Sequence, residues 1–266
     1  MEITFIIIPI LISLGFLAGV IAVIAGIGGG VLFVSIMTIL FIIPINIAID
    51  TSTFIILSSS AAGFITYLKQ KRTSIKLSLF FSIFSILGSI LTTILFLFVQ
   101  IDNTLLRILF ASTLLVAGGN MIFKAIKTKN SLKTPFLVKQ SFSLDSHDYK
   151  PNFKKAIPLF LLAGFTANLL GIGGGIINTP SLHIVLDYPI HYSTAISTSI
   201  IFFTAIYNTI IKAIIGEIDY IAGILVSIGS ILGSIIGAKI SKRMPRLYLQ
   251  FFVAIMLIIL AIRMYF

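Results

Sequence analysis

Long apolar runs alternate with short polar breaks along the whole chain. Apolar residues dominate about 3–25, 28–43, 47–68, 76–99 and 104–124, and a polar stretch covers about 125–155. Further apolar runs cover about 155–170, 173–187, 192–213, 218–239 and 246–265. Several reach the ~20 residues that a helix needs to cross a bilayer. The pattern predicts an all-α, polytopic transmembrane helical bundle: five segments, a linker, then five more.

The second set repeats the first at a constant shift of 145 residues, the separation of Gly26 and Gly171. Under that shift Gly19 falls on Gly164, Pro44 on Pro189, and Ser52-Thr53 on Ser197-Thr198. The hexapeptide at 85–90 recurs unchanged at 230–235. Apolar helices resemble one another by chance, but an ungapped match of Gly, Pro, Ser and Thr points to an internal duplication. The division that follows is a first transmembrane repeat at 1–124, a basic linker at 125–154 and a second repeat at 155–266.

Gly26-Ile27-Gly28-Gly29-Gly30 and its echo Gly171-Ile172-Gly173-Gly174-Gly175 interrupt apolar runs. Consecutive glycines break a helix. Inside lipid a break is tolerated only where it is buried in protein or lines a cavity. Two such breaks at matching places in two halves point to a transport site.

Charge adds orientation. The chain has 266 residues, is 58% hydrophobic and carries 10% charged residues, against roughly 25% in a soluble domain. Its net charge of +11 could suggest nucleic acid, but Lys and Arg gather in the loops, as the positive-inside rule expects. No nucleic-acid partner is expected. The absence of cysteine excludes disulfides and thiolate chemistry. The first run lacks a basic leader and reads as a retained segment.

The loop with Lys69, Lys71, Arg72 and Lys76 is expected in the cytoplasm, as are the linker and the loop with Lys239, Lys242, Arg243 and Arg246. The turns near Asp102 and at Glu217 and Asp219 suit the outside. These assignments agree only if residues 1–43 begin and end outside while 155–187 begin and end inside. The expected architecture is therefore two inverted repeats, each a glycine-broken hairpin plus three full spans, in the cell membrane with the N-terminus outside. About 15 residues in each arm of the second hairpin would span roughly 22 Å, short of a ~30 Å core.

Candidate chemistry centres on the breaks. Gly28, Gly29, Gly30, Gly173, Gly174 and Gly175 would place helix N-termini, with unpaired N–H groups and a positive dipole end, around an anion. The alternative is that they permit close helix crossing. Ser52, Thr53, Ser197 and Thr198 could donate hydroxyls to an oxyanion, or bond back to the preceding helical turn. Asn178 and Thr179 follow the second cluster, where the first half has Phe33 and Val34; with Asn168 they make any ligand contact asymmetric. Asp50, matched by Ala195, is a candidate coupling residue or an acid placed on a helix dipole. Arg107 and His183 read chiefly as structural. Asp145, His147 and Asp148 read as a solvated loop rather than a metal site. No metal and no cofactor is expected.

At these residues the chain resembles the TauE/SafE sulfite-exporter family of membrane permeases. The likeness rests on the two glycine motifs with Pro180, on Thr51-Ser52-Thr53 and Ser197-Thr198-Ser199, on Gly216-Glu217-Ile218-Asp219-Tyr220, and on Gly233, Gly237 and Ala238. Ser35 stands where the family usually has the proline that Pro180 supplies, and Tyr220 replaces the commoner Trp. The resemblance implies export of a small anion such as sulfite, a sulfonate or a related organic anion. The leading expectation is a secondary transporter working by alternating access between the halves. Its partners would be membrane lipid, a small anionic substrate and a coupling proton or sodium ion, with a homo-oligomer left open. The alternatives are a passive anion channel and a non-transporting assembly subunit. An enzyme is not expected, because paired acids and base-activated nucleophiles are missing from the apolar segments.

Overall fold

The structure, a computed structural model, describes residues 7–99, 102–131, 144, 150–241, 255 and 258–264. Helix α1 (Ile7–Ala25) ends at the first glycine loop. Helix α2 (Gly30–Ser35) follows and continues as a π-helical turn, Ile36–Leu40. Next come α3 (Ile45–Lys69), α4 (Ile75–Phe98) and α5 (Asn103–Ser131). The second half repeats the order with α6 (Lys150–Leu170), α7 (Gly175–Pro180) with a π-helical Ser181–Val185, α8 (Ile190–Ile215) and α9 (Tyr220–Ile240). The starts of α2 and α7, of both π turns, of α3 and α8, and of α4 and α9 each lie 145 residues apart, the shift between Gly26 and Gly171.

Local chemistry sets these starts. Pro44 and Pro189 precede α3 and α8, where a missing N–H costs nothing to the helix ladder. Ser74 Oγ accepts the Leu77 amide at 3.2 Å, and Asp219 Oδ1 accepts the Ala222 amide at 3.0 Å. Those are N-caps for α4 and α9.

The halves interlock rather than stand side by side. Helix α1 packs along α9 through Gly15, Gly19, Gly229, Gly233 and Gly237, where any added Cβ would meet the opposing backbone. In the same way α4 packs along α6 through Gly88 and Gly164. Small residues let membrane helices approach this closely. Ser85, Ser89 and Thr92 then donate to the carbonyls of Phe160, Gly164 and Phe165 at 3.2, 3.0 and 2.8 Å. The recurring hexapeptide is thus the seam by which α4 and α9 each dock on the other half.

Register gives direction. Contacts climb together along α1 with α9 and along α3 with α9, from Thr51–Asp219 to Gln70–Ala238. They also climb together along α4 with α6, and along α4 with α8, from Thr73–Ser199 to Thr93–Tyr207. Helices α3 and α8 run opposite ways, with Gly63 against Thr198 and Thr209 bonded to Thr53. So α1, α3 and α9 point one way, and α4, α6 and α8 the other. The chain enters and leaves each glycine-broken region at the same end.

Six helices, α1, α3, α4, α6 (over 152–170), α8 and α9, are long and apolar enough to cross a membrane. One expectation changes. The arms of each glycine hairpin are unequal: α1 has 19 residues and α6 has 21, whereas α2 with its π turn has 6 and 5. Helix α6 is longer than its apolar run because Lys150–Lys155 join it. Lysine is a good helix former, and Pro151 sits in the first turn, where proline is tolerated. Helix α5 likewise continues past residue 124 to Ser131. Asp145, His147 and Asp148 lie outside the described residues.

Candidate transport site

The two glycine loops meet between the halves. Gly26, Gly28 and Gly29 have φ of 66°, 90° and 75°, and Gly171, Gly173 and Gly174 have 62°, 81° and 74°. Only glycine adopts that left-handed backbone without strain. The turns are sharp enough for Gly30 to lie on the Gly171 carbonyl and Gly175 on the Gly26 carbonyl. A Cβ placed on Gly173 would stand 3.4 Å from the Gly28 Cα. The two loops therefore touch each other, with α3, α7 and α8 closing in around them.

The predicted hydroxyls brace this junction. Ser52 Oγ shares its proton between the Ile49 carbonyl at 2.7 Å and the Gly171 carbonyl at 2.9 Å, and Ser197 Oγ donates to the Gly26 carbonyl at 3.0 Å. The two contacts across the halves lie 145 residues apart, but only Ser52 also bonds back to its own helix. Thr179 adds a second bond to the Gly26 carbonyl at 2.7 Å. Thr53 and Thr198 bond back to the carbonyls of Asp50 and Thr194 at 2.7 and 2.9 Å, the helical back-bonding of threonine. Each of these hydroxyls has its one proton on a carbonyl, so they hold the site's walls in this state. Asn178 is buried with its Oδ1 unpartnered. Asn168 donates to the Ser89 carbonyl and to Thr93 Oγ1, both at 2.9 Å. Arg107 Nε donates to the Met264 carbonyl at 2.6 Å, and His183 Nδ1 lies 2.9 Å from the Tyr188 carbonyl.

Beside Gly173 is a cavity of about 10 Å³, lined by Thr53, Ile56, Ala167, Ile201 and Asn208 among others. That is room for about one water. Asn208 is 3% exposed and its Oδ1 has no partner. A free amide can turn either its acceptor or its two donors to a guest. Asn208 was missed in the sequence. It belongs to a buried polar stripe on α8, Ser197, Thr204, Asn208 and Lys212, whose spacing of seven, four and four marks one helix face.

Lys212, also missed, explains Asp50. Its Nζ stands 2.8 Å from Asp50 Oδ1, with both side chains about nine-tenths buried. Asp50 Oδ2 accepts the Glu217 amide at 3.0 Å, and the ammonium lies 4.4 Å from the Phe96 ring centre. The acid with no acidic counterpart is half of an ion pair that joins the start of α3 to the end of α8.

The far end of α3 is closed differently. Arg72 donates to the His191 carbonyl at 2.6 Å and stacks 4.7 Å from the Tyr67 ring centre. Tyr67 donates to the Val23 carbonyl at 2.9 Å. Burial lowers the Arg72 pKa from its ordinary value.

Six apolar helices of bilayer length define a multi-pass membrane protein. The description of the family "Sulfite exporter TauE/SafE" matches residues 11–264, and the chain belongs to that family. Among curated proteins it is similar to a probable membrane transporter protein of Methanocaldococcus jannaschii, 31% identical over 205 residues, covering 74% of this chain and 69% of that one. It is also similar to the probable membrane transporter protein YunE of Bacillus subtilis, 25% identical over 232 residues, covering 83% and 84%. No solved structure matches the chain. Family and relatives make it a membrane transporter.

Proposed function

We propose that this transporter moves a small anion, sulfite or a related sulfonate or organic anion, by exposing the cavity beside Gly173 to each side in turn. The observation that carries this is the junction itself. Two loops from two halves, with matched backbone, meet there, and beside Gly173 a small cavity is lined by Asn208, a buried residue whose amide oxygen has no partner. A carrier needs a closed central site between two parts that can rock against each other. The cavity lining is uncharged, so an oxyanion there would be held by Asn208 and by glycine amides freed as the loops separate.

In this reading the repeats are inverted in the cell membrane, with the N-terminus outside and 125–154 in the cytoplasm. The opposite directions of α1 and α6, α3 and α8, and α4 and α9 support it, as do the loop lysines. Asp50 is the coupling residue: a proton or sodium ion competes with Lys212 for its carboxylate when that end opens.

Counterflow in proteoliposomes tests the proposal. Labelled sulfite, or one of a panel of sulfonates and carboxylates, should accumulate transiently against excess unlabelled anion. Asn208→Leu should abolish exchange while leaving helix content unchanged, and Asp50→Asn should exchange without responding to a pH or sodium gradient. Simple equilibration with no overshoot would make the protein a channel. Full counterflow in Asn208→Leu would remove the cavity from the mechanism.

A further inference from the structure

A groove of about 640 Å³ runs between α3 and α9, well away from the glycine loops. Ala61 and Ala62 form one wall and Ile231 and Ile235 the other, while Lys69 and Lys239 stand at one end. Gln70 Nε2 donates to the Ala238 carbonyl at 3.1 Å and ties the two helices at that end. Both lysines are exposed, and among the described residues neither has a carboxylate partner. The two helices run in parallel, so both ammonium groups sit at helix C-termini on the same side of the molecule.

The equivalent place in the other half is filled differently. At the equivalent positions, 145 residues away, Ala61 becomes Ile206, Ala62 becomes Tyr207, Lys69 becomes Ile214 and Lys239 becomes Ile94. Tyr207 crosses that gap and hydrogen-bonds to Thr93 at 3.1 Å. One half has small residues and two cations where its twin has bulk and no charge. A groove that is mostly apolar, with the Ser58 and Thr66 hydroxyls bonded back to their own helix and two cations at its end, is complementary to a molecule with an apolar tail and an anionic head.

We propose that this groove holds one anionic phospholipid, its acyl chain against Ala61, Ala62, Ile231 and Ile235 and its phosphate between Lys69 and Lys239. The volume falls within the roughly 300–1,000 Å³ of ligand sites. Lys69 and Lys239 are also among the residues expected at the cytoplasmic face, where anionic lipids concentrate.

Native mass spectrometry of the purified protein, with phosphatidylglycerol and phosphatidylcholine of identical chains, tests this. The wild type should retain one phosphatidylglycerol in preference to phosphatidylcholine. Replacing each lysine by Gln should weaken that preference roughly fivefold, and Lys69→Gln with Lys239→Gln should bring the two lipids near parity. Ala62→Tyr, the residue the twin position already accommodates, should lose both lipids while helix content by circular dichroism stays unchanged. Equal retention of the two lipids by the wild type would overturn the proposal, as would a preference that survives both lysine changes. A lipid-free dimer that Ala62→Tyr splits into monomers would also overturn it, because a second copy would then fill the groove.

Discussion

Where α8 ends and α3 begins, Lys212 and Asp50 form a buried ion pair; where α3 ends and α8 begins, the same two positions hold Tyr67 and Ala195. The two junctions share a backbone plan. Each has a proline before the entering helix, and a short loop whose last residue caps the next helix, Asp219 in one and Ser74 in the other. They differ in what holds them shut. One is closed by opposite charges on two helices, the other by a cation set on a carbonyl and an aromatic face. The junctions lie about 25 Å apart along α3. The matched backbone therefore gives two similar junctions that differ in the side chains holding them. Among the described residues, the Asp50 end is the one closed through a carboxylate.

The largest test of this contrast is Lys212→Met, which strands a buried carboxylate and should cost about 3–5 kcal/mol of unfolding free energy. Asp50→Ala with Lys212→Tyr, which copies the other junction, should recover most of that loss in a double-mutant cycle. A single-variant loss below ~1 kcal/mol would mean that water already reaches the pair. Next in size, Arg72→Gln removes a charged hydrogen bond and should cost roughly 1.5–3 kcal/mol. A larger loss there than in Lys212→Met would reverse the ranking of the two ends.

The glycine loops supply the smallest effect. The Gly26 carbonyl accepts from both Ser197 and Thr179, whereas the Gly171 carbonyl has Ser52 as its side-chain donor. Ser52→Ala should therefore cost about 1–3 kcal/mol, and Ser197→Ala about 1 kcal/mol or less. Denaturant unfolding in detergent measures all of these differences. Equal losses in the two serine variants would show that the junction relaxes around a missing donor.

Much of the fold is legible in hydropathy and repeated small residues, because glycine and proline report backbone needs locally. Gly26, Gly28 and Gly29 announce a left-handed turn, and Pro44 announces a helix start. The full length of α6 is not legible, because Lys150, Lys154 and Lys155 look like loop and yet favour helix. Among the site residues, Ser52 and Ser197 stood out, but which way each hydroxyl points depends on a carbonyl more than a hundred residues away. The same distance hid the meaning of Asp50, whose partner is 162 positions on and has no counterpart in the first half. Asn208 and Lys212 sat in an apolar run, where only their spacing from Ser197 gave them away.

The exchange of serine hydroxyls and glycine carbonyls between the halves has a consequence for assembly. Ser52 serves the Gly171 loop and Ser197 serves the Gly26 loop, so neither half can satisfy its own loop. A half-chain made alone would present a glycine face with nothing against it and a hydroxyl with no carbonyl to meet. Two copies of a half, packed head to tail, would supply both to each other. Co-expressed as separate pieces split within the linker, the two halves should find each other, and a half without its mate should persist only by pairing with a second copy of itself.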